Sequence, residues 1–213
     1  MSTATTPLAR PRTSRNLAKH LLWYAFGLAG ISVLYYTDYP IIAHPHDPYT
    51  QKLIFDRFLL IPHAVAGVLA TALGPFQFST RFRQKHLSTH RLMGKTYVIC
   101  IAVAAPMALI LGQRGFTFPM RFMGVVQPAL WFACTAAAFI TARNRQITVH
   151  RQWMIRSYAF TLNFIFSRFF NFIPAYNNQS ETGLAMTLAL LSVLYFFIPD
   201  IVFNWRELTH RRA

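Results

Sequence analysis

Residues 122–141 read FMGVVQPALWFACTAAAFIT, twenty in a row without a charge, and the run stops at Arg143 and Arg145. A helix needs ~20 apolar residues to cross ~30 Å of hydrocarbon, so this stretch has the make-up of a membrane span. Five others share its character: about Lys19 to Tyr36, Leu59 to Phe78, Tyr97 to Leu111, Ser157 to Ile173 and Leu184 to Phe203. The Tyr97 and Ser157 stretches are short. They gain length if Lys95, Arg156 and their neighbours reach toward the headgroups. The pattern predicts an all-α membrane protein, a bundle of six transmembrane helices.

Basic residues set the orientation, because Lys and Arg in short connections accumulate on the cytoplasmic side. Sixteen of the 21 fall before the first span, between the second and third, between the fourth and fifth, or after the last. Those positions are Arg10, Arg12, Arg15 and Lys19; Arg81, Arg83, Lys85, Arg91 and Lys95; Arg143, Arg145, Arg151 and Arg156; and Arg206, Arg211 and Arg212. The other connections hold Lys52, Arg57, Arg114 and Arg121, while Arg168 lies inside a span. Both termini are therefore expected inside. Trp23, Trp153 and Trp205 fall at inner ends, where an amphipathic ring is favoured. A formal charge of +15 could point to nucleic acid, but cations confined to alternate loops already have a topological cause, so no nucleic-acid partner is expected.

Residues 1–17, rich in Thr, Ser, Pro and Arg, read as a disordered basic cytoplasmic tail, residues 18–205 as the transmembrane domain, and residues 206–213 as a second basic tail. No small-residue cleavage site follows the first apolar run, which reads as an uncleaved anchor. Cys100 and Cys134 both lie within spans and form neither a disulfide framework nor a metal knot.

The inner ends of the third and fifth spans echo each other. One reads His90-Arg91-Leu92-Met93-Gly94-Lys95-Thr96-Tyr97, the other His150-Arg151-Gln152-Trp153-Met154-Ile155-Arg156-Ser157-Tyr158. His63 precedes a small-residue helix that ends in Gly74-Pro75-Phe76-Gln77-Phe78. These ordered motifs, spread over roughly Leu53 to Asn177, resemble the bacterial membrane proteins of domain-of-unknown-function family 2306. The resemblance implies a multi-span protein of the inner (cytoplasmic) membrane and implies no activity.

Ionisable side chains inside spans are the candidate site residues, since each is costly in lipid unless it faces the bundle. His63 shares a face with Ala66, Gly67, Ala70 and Gly74, a stripe that serves either a flat ligand or close helix packing. Arg168 lies on a helix with an unusual polar load, Tyr158, Thr161, Asn163, Ser167 and Asn171, and Asp56 is its expected partner at similar depth. His63, Asp56 and Arg168 would form an outer polar site, in which His63 and Arg168 bond a quinone headgroup, or Asp56 and Arg168 form a purely structural ion pair.

At the inner face His86 and His90 stand four residues apart, with His150 at comparable depth and Arg91 and Arg151 alongside. Two imidazoles and two guanidinium groups suit one b-type haem, with His90 and His150 on the iron and the arginines on its propionates. They equally suit a lipid headgroup or phosphate, or a plain interfacial role. No Cys or carboxylate completes a tetrahedral zinc set. The paired histidines also resemble those of transmembrane b-type cytochromes. That architecture places two imidazoles near each face, whereas the fourth span here has no His and the outer half has only His63 within a helix. A single inner haem is what the pattern admits.

Three function classes follow: a haem- or quinone-associated redox component, a scaffold or assembly factor within a membrane complex, and a small-solute or proton-coupled transporter. The last predicts a helix broken near Pro62 or Pro75. With six acidic residues in all and no glycine-rich phosphate loop, hydrolytic or nucleotide-driven chemistry is not expected.

Overall fold

The computed structural model describes residues 54–114, 117–170 and 178–209, with residues 35, 43, 44, 46, 47 and 51; the side chains of residues 164–170, 198 and 202–209 lie outside that description. The tail 1–17, nearly all of the first expected span, Asn171 and residues 210–213 also lie outside it.

The described residues form six helices: α1 (Arg57–Phe78), α2 (Thr80–Lys85), α3 (Leu87–Leu111), α4 (Phe118–Arg143), α5 (Ile147–Phe170) and α6 (Glu181–Thr209). No strand occurs among them. α1, α3, α4 and the stretch Glu181–Ile201 of α6 are long and apolar enough to cross a membrane. α5 is not one of these four, because polar and charged residues run along it, from His150, Arg151 and Gln152 at its start to Arg156, Asn163 and Arg168 further on. α3 starts at Leu87 and α5 at Ile147, well before the expected Tyr97 and Ser157. The apolar window marks the part suited to hydrocarbon, whereas the helix continues through good helix formers such as Leu92, Met93 and Lys95 until a cap ends it.

Cross-helix bonds fix the directions. His63 Nδ1 meets Ala104 O at 2.9 Å, and Gln77 Nε2 donates to His90 O at 3.3 Å, so α1 and α3 are antiparallel. His150 with Ala138 and Asn163 with Gln127 make α4 and α5 antiparallel too. His90 beside His150 and Tyr97 bonded to Ser157 and Thr161 set α3 parallel to α5, and Tyr195 with Asn163 and Arg156 with Asp200 turn α6 back along α5. As a result Arg81, Arg83, Lys85, Arg91, Lys95, Arg143, Arg145 and Arg151 gather at one end of the bundle. Asp56, Arg57, Arg114, Arg121 and Glu181 mark the other.

α1 is built for lipid outside and close packing inside. Phe58, Ile61, Val65 and Leu69 are exposed at helical spacing, while Ala66, Ala70 and Gly74 face α3 and α5. Because lipid is as apolar as leucine, burying large side chains between helices gains little, and small residues that let backbones approach take the interface. The same logic brings Gly112 against Gly124, where a Cβ on either would fall within 3 Å of the opposing backbone. The α4–α5 turn closes through Arg145 in the left-handed region (φ 59°), with Gln146 N–H donating to Thr141 O at 2.9 Å.

Five prolines, Pro62, Pro75, Pro106, Pro128 and Pro199, lie inside helices that stay continuous. Each lacks an N–H, freeing the carbonyl four residues earlier. For Pro75 that carbonyl is Thr71 O, and the Tyr158 hydroxyl of α5 donates to it at 2.9 Å. The break near Pro62 or Pro75 that a transporter would need is not found.

Candidate functional site at the basic end

Most of the sequence motifs resolve into packing at the junction of α1, α3 and α5. Tyr158 lies across Gly74, where a Cβ would come within 1.9 Å of its ring, and its ring centroid is 5.3 Å from that of Phe78. Gln77 reaches back to His90 O, and a Cβ on Gly94 would meet Gln77 Oε1 at 3.4 Å. Gly74, Pro75, Gln77, Phe78, Gly94 and Tyr158 therefore hold one another in place. The small-residue groove beside His63 is filled by Tyr158 at Gly74 and open at Gly67, where a Cβ would meet no atom within 4 Å.

The polar residues of α5 whose side chains are described are likewise engaged. Ser157, Thr161, Tyr97, Trp131 and Thr135 form one buried network joining α3, α4 and α5, with Tyr97 Oη 2.8 Å from both Ser157 Oγ and Thr161 Oγ1. Asn163 bonds Gln127 and Tyr195, and Gln127 bonds Ser192, linking α4, α5 and α6. Tyr158 turns to α1 and Thr161 to α3 and α4, so the broad shared face expected from their spacing is divided among neighbours. Bonds of this type hold membrane helices together at ~0.6 kcal/mol each.

The expected outer site is not assembled as a triad in the described residues. Asp56, buried at the start of α1, is paired with Arg114, which also stands over the Phe55 ring. Arg114 holds the carboxylate expected for Arg168; Arg168 lies in α5 with its side chain outside the description. Sequence reading missed Arg114 because it lies in a connection rather than a span. His63 is on α1 two turns further in, its Nδ1 against Ala104 O. A carbonyl only accepts, so Nδ1 carries the proton.

At the basic end the geometry is different. His150 Nδ1 donates to Ala138 O at 2.8 Å, which fixes its tautomer and leaves Nε2 as a lone-pair donor. This is the arrangement by which proteins orient a metal-binding imidazole. His90, on the parallel helix α3, is half-buried; its Nδ1 is shut off from solvent and has no hydrogen-bond partner among the described residues. Its electrostatic neighbours are Arg83, His150 and Arg91. His90, His150 and Arg91 thus share one electrostatic neighbourhood, which also holds Arg83. His86 departs from expectation. It sits at the break between α2 and α3 with non-helical backbone (φ −135°, ψ 60°), and its ring is 5.5 Å from Phe82. Arg151 is exposed on the first turns of α5.

Arg156, buried at this end, is bonded to the half-exposed Asp200 of α6 and stands 4.9 Å above the Trp153 ring. The distance between Arg156 and Asp200 along the chain hid that pairing from sequence. Among the described residues no cluster of three or more His, Cys, Asp or Glu could hold a metal ion, and Cys100 and Cys134 are free thiols buried in the core.

A family model described as a predicted membrane protein, domain-of-unknown-function family 2306, matches residues 60–203. No curated protein and no solved structure matches the chain. The match takes in His63, the Gly74-Pro75 helix end, His90-Arg91, His150-Arg151 and Tyr158. The chain belongs to domain-of-unknown-function family 2306 of membrane proteins.

Proposed function

We propose that the chain is a small redox component of the inner (cytoplasmic) membrane that crosses it six times with both termini inside and binds one b-type haem at its basic end. His90 and His150 would hold the iron, and Arg91 and Arg151 would pair with the propionates. The observation that carries this reading is the imidazole pair: His150 has its Nδ1–H committed to Ala138 O and Nε2 available, beside a His90 ring whose buried Nδ1 has no partner. A buried polar atom left unsatisfied costs ~1–3 kcal/mol and calls for a reason that packing does not give here. Held by these two imidazoles, a haem would supply one-electron transfer. His63 and Arg168 form the outer site, where a quinone carbonyl is bonded or its protons are relayed.

A visible spectrum of detergent-purified protein, expressed with ample haem and recorded before and after dithionite, tests the reading. A Soret band with sharp bands on reduction is expected, and His150→Ala or His90→Ala should abolish the six-coordinate spectrum. A wild-type protein without a Soret band overturns it. One observation favours a second reading, a scaffold or assembly factor in a membrane complex: the motif residues Gly74, Pro75, Gln77, Gly94 and Tyr158 are all accounted for by helix packing. That reading expects colourless protein that co-purifies with a larger assembly.

A further inference from the structure

The short helix α2 has no part in the haem reading, yet it is firmly placed. Ser79 Oγ accepts the Phe82 N–H at 3.3 Å, and the Phe82 ring lies 5.8 Å from Phe76 and 5.5 Å from His86. These contacts set the next residue, Arg83, beside the start of α3, where its charge acts on His90 together with those of His150 and Arg91. No carboxylate is among the groups acting on His90. At this end Asp200 is already bonded to Arg156, and Asp56 and Glu181 stand at the opposite end with Arg114 and the Thr117 N–H.

Among the described residues, a half-buried imidazole therefore has an unbonded ring nitrogen inside a cationic surround that contributes donors and no acceptor. One oxygen anion would satisfy both needs, accepting from Nδ1–H and neutralising the guanidinium groups. We infer that Arg83, His90 and Arg91 form an oxyanion site at the basic end, which takes a carboxylate or phosphate carried by an amphipathic ligand, with Arg83 as a binding residue. This deepens the haem reading, in which the oxyanion is a propionate, but it needs no iron. On His150 the protein supplies the acceptor for Nδ1–H; on His90 the ligand supplies it.

The test compares the purified full chain with Arg83→Gln, Arg83→Lys and His90→Phe. Binding of iron-free protoporphyrin IX is set against its dimethyl ester, which keeps the ring and masks both carboxylates. In a second arm, thermal unfolding is measured in nanodiscs of phosphatidylglycerol against phosphatidylcholine, and in a third with added inorganic phosphate. A preference for the diacid that falls about tenfold in Arg83→Gln, with Arg83→Lys in between, supports a carboxylate ligand. Stabilisation by phosphatidylglycerol that the variants lose supports a lipid phosphate, and the same pattern with inorganic phosphate supports a free one. If Arg83→Gln unfolds, Arg83→Lys and His90→Phe carry the comparison. Variants that match the wild type in all three arms overturn the site. A Soret band that Arg83→Gln leaves unchanged in haem affinity also overturns it while keeping the haem. Diacid preference without any Soret band keeps the site and removes the iron.

Discussion

Gly67 and Gly74 share a face of α1 two turns apart, and the bundle treats them oppositely. A methyl at Gly74 would enter the Tyr158 ring, which cannot withdraw because its hydroxyl is bonded to Thr71 O and Phe78 packs on it. Gly74→Ala should destabilise by about 2 kcal/mol through overpacking. Gly67→Ala meets no atom within 4 Å and should instead stabilise by up to ~1 kcal/mol through helix propensity. Chemical unfolding of both variants in one detergent checks the opposite signs. Tyr158→Phe strips the donor from the carbonyl that Pro75 leaves free, at about 1 kcal/mol. Pro75→Ala returns an N–H to Thr71 O, so the double variant should recover most of that loss. Additive losses in the double-mutant cycle would contradict the coupling. Part of this was legible in the string: a proline in a helix announces a carbonyl in need of a donor. Its donor stands 87 residues away, and no local pattern names it. Whether a stripe of Ala and Gly is a groove or a packing seam depends on what stands opposite, which spacing alone does not carry.

At the scale of elements, α5 shows why a helix too polar to be counted among the apolar four can sit inside a bundle. Its Ser157 and Thr161 join Tyr97, Trp131 and Thr135 in six hydrogen-bonded pairings, counting the bonds to Trp131 O and Ser157 O. The five side chains bring one hydrogen each, so one pairing always lacks its proton. Tyr97→Phe removes one hydrogen and two pairings, leaving four of each, and every remaining donor keeps an acceptor. Thr161→Val removes one hydrogen and three pairings, and it strands the Trp131 indole N–H in the core. Thr161→Val should therefore cost about 2 kcal/mol and Tyr97→Phe less than about 1 kcal/mol, although each removes one hydroxyl and Tyr97 makes two of the shorter bonds. Equal losses, or the reverse order, would show that the network is not governed by its hydrogen count. The polar load of α5 was visible in sequence and pointed to a ligand-facing surface; the facing helices turn it into interhelical bonding. His90 Nδ1 on α3 and Arg156 Nε on α5 are the exceptions at this scale, buried with no hydrogen-bond partner among the described residues.

For the molecule as a whole, the apolar runs and the alternation of basic loops were the most legible features, because both follow from the solvent rather than from which helices touch. Which helices pair was not legible: parallel contact between α3 and α5 rests on Tyr97, whose partners lie 60 and 64 residues on. The helix directions put Ser88 and Gln146 at the basic end and Gln113 and Gln179 at the other. If lysine and arginine orient the bundle, the basic end faces the cytoplasm. Single cysteines introduced at these four positions, with Cys100 and Cys134 replaced by alanine, report the arrangement directly. The native thiols, 6% and 1% exposed, make that background a mild change. In intact cells an impermeant maleimide should label Gln113→Cys and Gln179→Cys at once, and reach Ser88→Cys and Gln146→Cys only after permeabilisation. Labelling of all four with the sidedness reversed would keep the bundle and invert its orientation. Labelling of Ser88→Cys and Gln146→Cys from opposite sides would separate His90 from His150 across the membrane, and no ligand could then be shared between them.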